Sequence, residues 1–248
     1  MKVVIVKDKT QMGATGAKII ADDMRGKPRH VLGLATGATP IPLYQELIRM
    51  HREEGLDFSS TTTFNLDEYI GLDPAHPQSY RYFMNAQLFD HINIPKENTH
   101  VPDGMAEDVD AFCKEYERMI RDAGGIDLQL LGIGSNGHIG FNEPGTPLDS
   151  RTHRTGLTES TINDNARLFE RREDVPVEAV TMGVATIMDA RRVLLLACGE
   201  NKAASVAAAV EGPVTPDVPA SALQNHEQAA VVVAEDAAAG LKGDYERP

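Results

Sequence analysis

The chain has 248 residues, 42% of them hydrophobic and 25% charged, which is enough for one large α/β domain with a substantial core. A net charge of −13 repels nucleic acid and anionic membrane surfaces, so neither is expected as a partner; an anionic ligand has to be held by a local basic pocket. The two cysteines form no C-x-x-C pair, which argues against a disulfide framework or a zinc knuckle, and no apolar run approaches the roughly 20 residues of a membrane span.

In chain order, Val3 to Val6 reads as a first strand, too short to be the core of a signal peptide, and a cytoplasmic location is expected. Val31 to Leu34 is a second buried strand. It runs into Ala35-Thr36-Gly37-Ala38-Thr39-Pro40, with Thr39 expected as the N-cap and Pro40 as the first residue of a helix marked by Tyr44, Leu47 and Ile48. Free N–H groups at such a terminus make a phosphate cradle, although a plain capped turn fits the same residues and no Walker G-K-[ST] element is present. Thr62 to Leu66 is a third strand, ending in Asp67-Glu68-Tyr69. Consecutive residues on extended chain point to opposite sides, so Asp67 and Glu68 are not an acid–base dyad: one can face a crevice while the other makes structural contacts.

Tyr80, Phe83, Met84 and Leu88 mark a helix after Pro77, and Val109, Phe112, Cys113, Tyr116, Met119 and Ile120 mark another with a clear apolar stripe. Leu128 to Ile133 is a strand that opens into the most informative stretch, Gly132 to Gly145, which carries five glycines, His138 and Glu143. Gly132, Gly134 and Gly137 fit G-x-G-x-x-G, but Asn142-Glu143-Pro144-Gly145 prevents the helix that a dinucleotide site needs. His138, exposed by its flanking glycines, and Glu143, within reach if the loop curls back, are candidates for proton transfer; a satisfied structural histidine is the alternative. His30, His51, His76, His91 and His226 show no metal-ligand spacing, and no metal site is expected.

Residues 157–177 are polar and irregular, with Arg167, Arg171 and Arg172 among acids, and read either as a lid or as a solvated surface helix. Val180 to Val184 is a weaker strand candidate, Val193 to Ala197 and Ala230 to Val233 are buried strands, and Ala203 to Ala209 is a helix. Lys202 falls in the first turn of that helix, against the dipole, which suits an anion held between lysine and terminus; a solvated lysine is the alternative. Cys113 and Cys198 read as core thiols of a reducing compartment. The alternation predicts a single α/β domain over 1–248, an open, mostly parallel sheet with helices on both faces in a Rossmann-like three-layer arrangement, with ligands bound at the carboxyl ends of the strands.

The strings Phe64-Asn65-Leu66-Asp67-Glu68-Tyr69 and Gly137-His138-Ile139-Gly140-Phe141-Asn142-Glu143-Pro144, with Ala35 to Pro40, Ser150-Arg151-Thr152 and Lys202-Ala203, resemble the glucosamine/galactosamine-6-phosphate isomerase family, nearly end to end. The resemblance implies a cofactor-independent conversion of glucosamine 6-phosphate and water to fructose 6-phosphate and ammonia, in amino-sugar catabolism. It implies Asp67 as the base that moves the C2 proton to C1, His138 as the ring opener and Glu143 as its orienting partner. Thr36, Gly37, Ala38, Thr39, Arg167 and Lys202 match the phosphate-binding positions. Asn136 stands where many members carry a catalytic Asp. His153 and Thr155 replace basic residues of members activated by N-acetylglucosamine 6-phosphate, and the tail is shorter than theirs, which argues against an allosteric anion site. A 6-phosphogluconolactonase-like hydrolase and a non-catalytic sugar-phosphate sensor are the competing readings. The expected partner is the small-molecule substrate; a homo-oligomer of unknown state remains open.

Overall fold

A computed structural model describes residues 1–27, 29–159, 162, 169 and 171–248. Seven parallel strands form the main sheet: β1 (Lys2–Val6), β2 (His30–Leu34), β3 (Thr61–Asn65), β5 (Thr99–His100), β6 (Leu128–Leu131), β9 (Arg192–Ala197) and β10 (Ala229–Ala234). Their spatial order is β1-β10-β9-β6-β2-β3-β5. Successive residues of β2, β6 and β10 face opposite sides, yet nearly all are buried, so both faces of the sheet are covered. The polar β4 (Asp67–Tyr69), β7 (His153–Gly156) and β8 (Glu178–Thr181) form a small antiparallel sheet, ordered β4-β8-β7.

Among the described residues the α-helices are α1 (Lys9–Met24), α2 (Ile41–Glu54), α3 (Tyr80–Gln87), α4 (Val109–Asp122), α5 (Val184–Met188) and α6 (Ala203–Glu211). Side chains of Asp8, Ser79 and Asp108 cap α1, α3 and α4, each accepting a backbone N–H of the first turn. The apolar stripe expected on α4 is realised, with Cys113, Tyr116 and Ile120 buried.

The chain order reverses between β2 and β6. From β2 the strands proceed through β3 to β5; from β6 they proceed the other way, through β9 and β10. The loops after β2 and β6 therefore diverge and leave a crevice at the carboxyl end of the sheet. Two of the catalytic candidates named from sequence, Asp67 and His138, lie at this end.

Candidate active site

The first wall is the loop after β2. Gly37 turns it with φ +93°, a left-handed conformation that a side chain would strain, and the buried Tyr44 hydroxyl ties it to α2 by donating to the Ala35 carbonyl at 2.5 Å. The helix starts one residue later than expected. Pro40 holds the cap position with no side-chain cap, and α2 begins at Ile41; Thr39 instead meets the Cys198 thiol. Among the described residues, the N–H groups of Gly37, Ala38 and Thr39 have no protein acceptor, so these donors remain available without the predicted cap. The positive charges of Lys9 and Lys202 both reach Cys198, beside Thr39, although burial still raises the thiol's pKa. Lys202 ends a short 3-10 turn and occupies the N-cap position of α6.

The second wall is the loop after β6. Gly134 donates to the His138 carbonyl at 2.9 Å, and a Cβ at 134 would lie only 2.3 Å from the imidazole, so the ring lies directly over the glycine backbone. His138 Nδ1 is 3.5 Å from Glu143 Oε1. Asn136 links the two residues: its Nδ2 donates to Glu143 Oε2 at 2.6 Å, and its Oδ1 accepts the His138 N–H at 3.2 Å. The fully buried Asn142 fixes the far side of the loop by donating to the Ile139 and Met182 carbonyls, both at 2.8 Å.

The floor is Asp67, only 6% exposed and paired with Thr181 across the small sheet. Burial, and next the charge of Glu68, push its carboxyl up to about 8. As expected, Asp67 and Glu68 diverge. Glu68 turns away from the crevice and accepts three backbone N–H groups at 2.9 Å, those of Tyr69 and Tyr80 on Oε1 and that of Arg81 on Oε2. Tyr80 closes the side, its ring stacked on Phe141 and its hydroxyl donating to that of Tyr69 at 3.1 Å.

Thr36, Gly37, Ala38, Thr39, Asp67, Tyr80, His138 and Phe141 thus enclose one cavity of about 190 Å³. Asn136 and Glu143 stand behind His138 rather than in the cavity wall. Arg167 lies outside the described residues, as do 160, 161, 163–166, 168 and 170 of the 157–177 segment; of its described residues, Leu157 and Phe169 pack on the Tyr69–Leu72–Phe141 cluster. A larger cavity of about 540 Å³ lies near the amino end of β6. Its Glu117 is already engaged by Thr152 and Thr186. Among the described residues, no group of three or more His, Cys, Asp or Glu could hold a metal, and no helix is long and apolar enough to cross a membrane.

The family model for glucosamine-6-phosphate isomerases/6-phosphogluconolactonase matches residues 8–232. The chain belongs to this family. A glucosamine-6-phosphate deaminase of Clostridium perfringens is 53% identical over 242 residues, covering 98% of this chain and 100% of that protein. The solved structure of a monomeric glucosamine-6-phosphate deaminase superposes with a TM-score of 0.94 at 45% identity, covering 97% of this chain and 100% of that one. A 6-phosphogluconolactonase from Thermotoga maritima reaches a TM-score of 0.74 at 23% identity, covering 94% and 100%, and shares the fold. Within this family the sequence reading missed two residues. Tyr80 was given no role in the site, and the attachment of Glu68 to α3 has no local signal, because its partners lie 12 and 13 residues away.

Proposed function

We propose that this chain is an isomerising deaminase that converts glucosamine 6-phosphate and water to fructose 6-phosphate and ammonia. The observation that carries the reading is that a buried carboxylate, Asp67, and an imidazole, His138, face one small cavity walled by an anion-seeking loop. The reaction is redox-neutral, since oxidation at C2 is balanced by reduction at C1, so it requires no electron carrier. Its steps are proton transfers, for which a carboxylate and an imidazole suffice.

The N–H groups of Gly37 to Thr39 hold the phosphate, with Lys202 and Arg167 supplying charge; binding energy there orients carbons remote from it. His138 takes the proton of the O1 hydroxyl and returns it to the ring oxygen, opening the pyranose. Glu143, itself aimed by Asn136, orients the imidazole. Asp67 removes the C2 proton and delivers it to C1 through an enolamine. Water then adds at C2 and ammonia leaves. Residues 157–177 act as a lid over the bound sugar. A sugar phosphate is a dianion that does not cross membranes unaided, so we place the activity in the cytoplasm.

The distance from the lactonases in sequence favours deamination over lactone hydrolysis. One experiment separates them. Purified protein given glucosamine 6-phosphate releases ammonia and fructose 6-phosphate in equal amounts, and given 6-phosphogluconolactone does not accelerate hydrolysis. The reverse result overturns the reading.

A further inference from the structure

The mechanism assigns Asp67 a task and leaves its buried neighbour unused. Glu68 is 2% exposed, an unusual place for a carboxylate. Its oxygens accept the N–H groups of Tyr69, Tyr80 and Arg81. Two of these belong to the first turn of α3, where the helix dipole favours an anion. Arg81, held by the hydroxyl and carbonyl of Thr99 at 2.9 and 2.8 Å, adds a positive charge nearby. Asp67 has none of these. Among the described residues no hydrogen bond to its carboxylate is present. The titratable groups around it are Glu68 on its own strand, Tyr44 from α2, Tyr80 from α3, Tyr116 from α4 and His138 across the cavity. Thr181 from β8 and Gly140 from the His138 loop are neutral; a Cβ at 140 would sit 3.6 Å from Asp67 Oδ2.

Two adjacent buried carboxyls cannot ionise independently, and the first negative charge goes where donors await it. We infer that Glu68 is a positioning residue which, by holding a fixed negative charge at the head of α3, sets the basicity of Asp67. The inference rests on Asp67 being the base. Burial raises both carboxyls, but the three N–H groups and Arg81 oppose the rise only at Glu68. Glu68 therefore loses its proton first, and Asp67, facing that charge, loses its proton last. A carboxylate made more basic in this way is better matched to a carbon acid. The same residue fixes geometry, since Glu68 Oε1 joins the strand that carries Asp67 to the helix that carries Tyr80.

The test is the pH profile of kcat/KM between pH 5.5 and 9.5 for the wild type, Glu68→Gln and Glu68→Asp, with the carboxyl carbons of the labelled wild-type protein followed by NMR and assigned with Asp67→Asn. In Glu68→Gln the acid limb moves down by about one pH unit or more; in Glu68→Asp, which keeps the charge, it stays close to wild type even where kcat falls. In the wild type the Glu68 carbon titrates at lower pH than the Asp67 carbon. A Glu68→Gln profile lowered equally at every pH, or an Asp67 carbon that titrates before Glu68, overturns the inference. The NMR titration needs neither turnover nor a folded Glu68 variant. An Asp67→Asn enzyme that still exchanges the C2 proton would instead overturn the role of Asp67.

Discussion

Glu143 reaches His138 and Asn136 at once: one carboxylate oxygen lies 3.5 Å from the imidazole Nδ1, and the other accepts the Asn136 amide at 2.6 Å. The first distance is long for a hydrogen bond, whereas the second is short and firm. Asn136 thus holds the carboxylate beside His138 Nδ1, which makes no hydrogen bond among the described residues, in position to accept one when the ring takes a proton. Because Asn136 is neutral, Glu143 carries its charge without a like-charged neighbour on that oxygen. Replacing Asn136 by Asp introduces a second carboxyl at hydrogen-bond distance, and two carboxyls sharing a site raise one pKa. In Asn136→Asp the acid limb of kcat moves to higher pH, by about one unit or more. An unchanged limb would mean that Glu143 is not required ionised.

His138→Gln retains a polar group over Gly134 but cannot relay a proton between two oxygens. The variant slows the cyclic substrate by about 10²-fold or more, while an open-chain analogue loses much less. Equal losses on both substrates would assign His138 to holding the loop rather than to opening the ring.

Asp67→Asn abolishes turnover and C2 proton exchange in deuterated water while leaving the substrate dissociation constant within a few-fold of wild type, because the base acts in the transition state. The same change stabilises the protein at alkaline pH. The Asp67 carboxyl is raised from 3.8 to about 8 in the folded protein. Between those values the folded state holds a proton that the unfolded chain has released, so folding becomes less favourable as pH rises through this window. Above about pH 8 the wild type bears the full burden of an ionised buried acid, on the order of a few kcal/mol. The Tm gap between Asp67→Asn and wild type widens from pH 5 to pH 9. A gap independent of pH would show that Asp67 is not held protonated near neutrality.

Lys202→Ala raises KM for glucosamine 6-phosphate. Loss of a charge-assisted contact to phosphate costs about 1.5–3 kcal/mol, a ten- to hundred-fold effect. In a chain of net charge −13, the proposed site has Arg167 and the neutral amides of the Gly37 loop as its other anion ligands, so little can compensate. An unchanged KM and kcat would remove Lys202 from the phosphate site.

Much of this was legible in the sequence, for identifiable reasons. β9 and β10 are continuous apolar runs because both their faces are buried, and that pattern is local. The Gly-rich loop and the acids after β3 were legible because glycines clustered around a histidine, and two acids at a strand end, are unusual local patterns. The small sheet was legible only at Val180 and Thr181, where the weaker strand candidate overlaps the end of β8. β4 is Asp-Glu-Tyr, and β7 alternates half-buried with exposed residues and contains no aliphatic side chain. α1 escaped because close packing on α2 uses small residues: a Cβ at Gly13 would lie 2.6 Å from the Pro42 Cβ, and one at Gly16 would lie 2.8 Å from Leu43. Glycine and alanine on the buried face erase the amphipathic stripe that marks α4. The Thr39 cap failed because the threonine side chain is drawn toward Cys198, a contact across the sheet that no local pattern reveals.

The last prediction concerns regulation. An effector acts only by binding one state better than another, and an anionic effector needs cations at its site. The resemblance implies that His153 and Thr155 stand where activated members carry basic residues, and the structure commits their neighbours elsewhere. Arg151 is paired with Asp189, and Arg154 makes two bonds to Glu178. His153 Nδ1 lies 2.8 Å from the Arg151 carbonyl, so that nitrogen carries a hydrogen and donates to the backbone. Binding a phosphate at this edge of β7 would require breaking at least one ion pair. The expected kinetics are hyperbolic in glucosamine 6-phosphate, and N-acetylglucosamine 6-phosphate leaves the curve unchanged apart from weak competition. Rate-versus-substrate curves with and without that effector decide the point. A sigmoid curve that becomes hyperbolic on its addition would mean that Arg151 or Arg154 exchanges its carboxylate partner for the effector, and Asp189→Asn or Glu178→Gln would then lower the concentration needed.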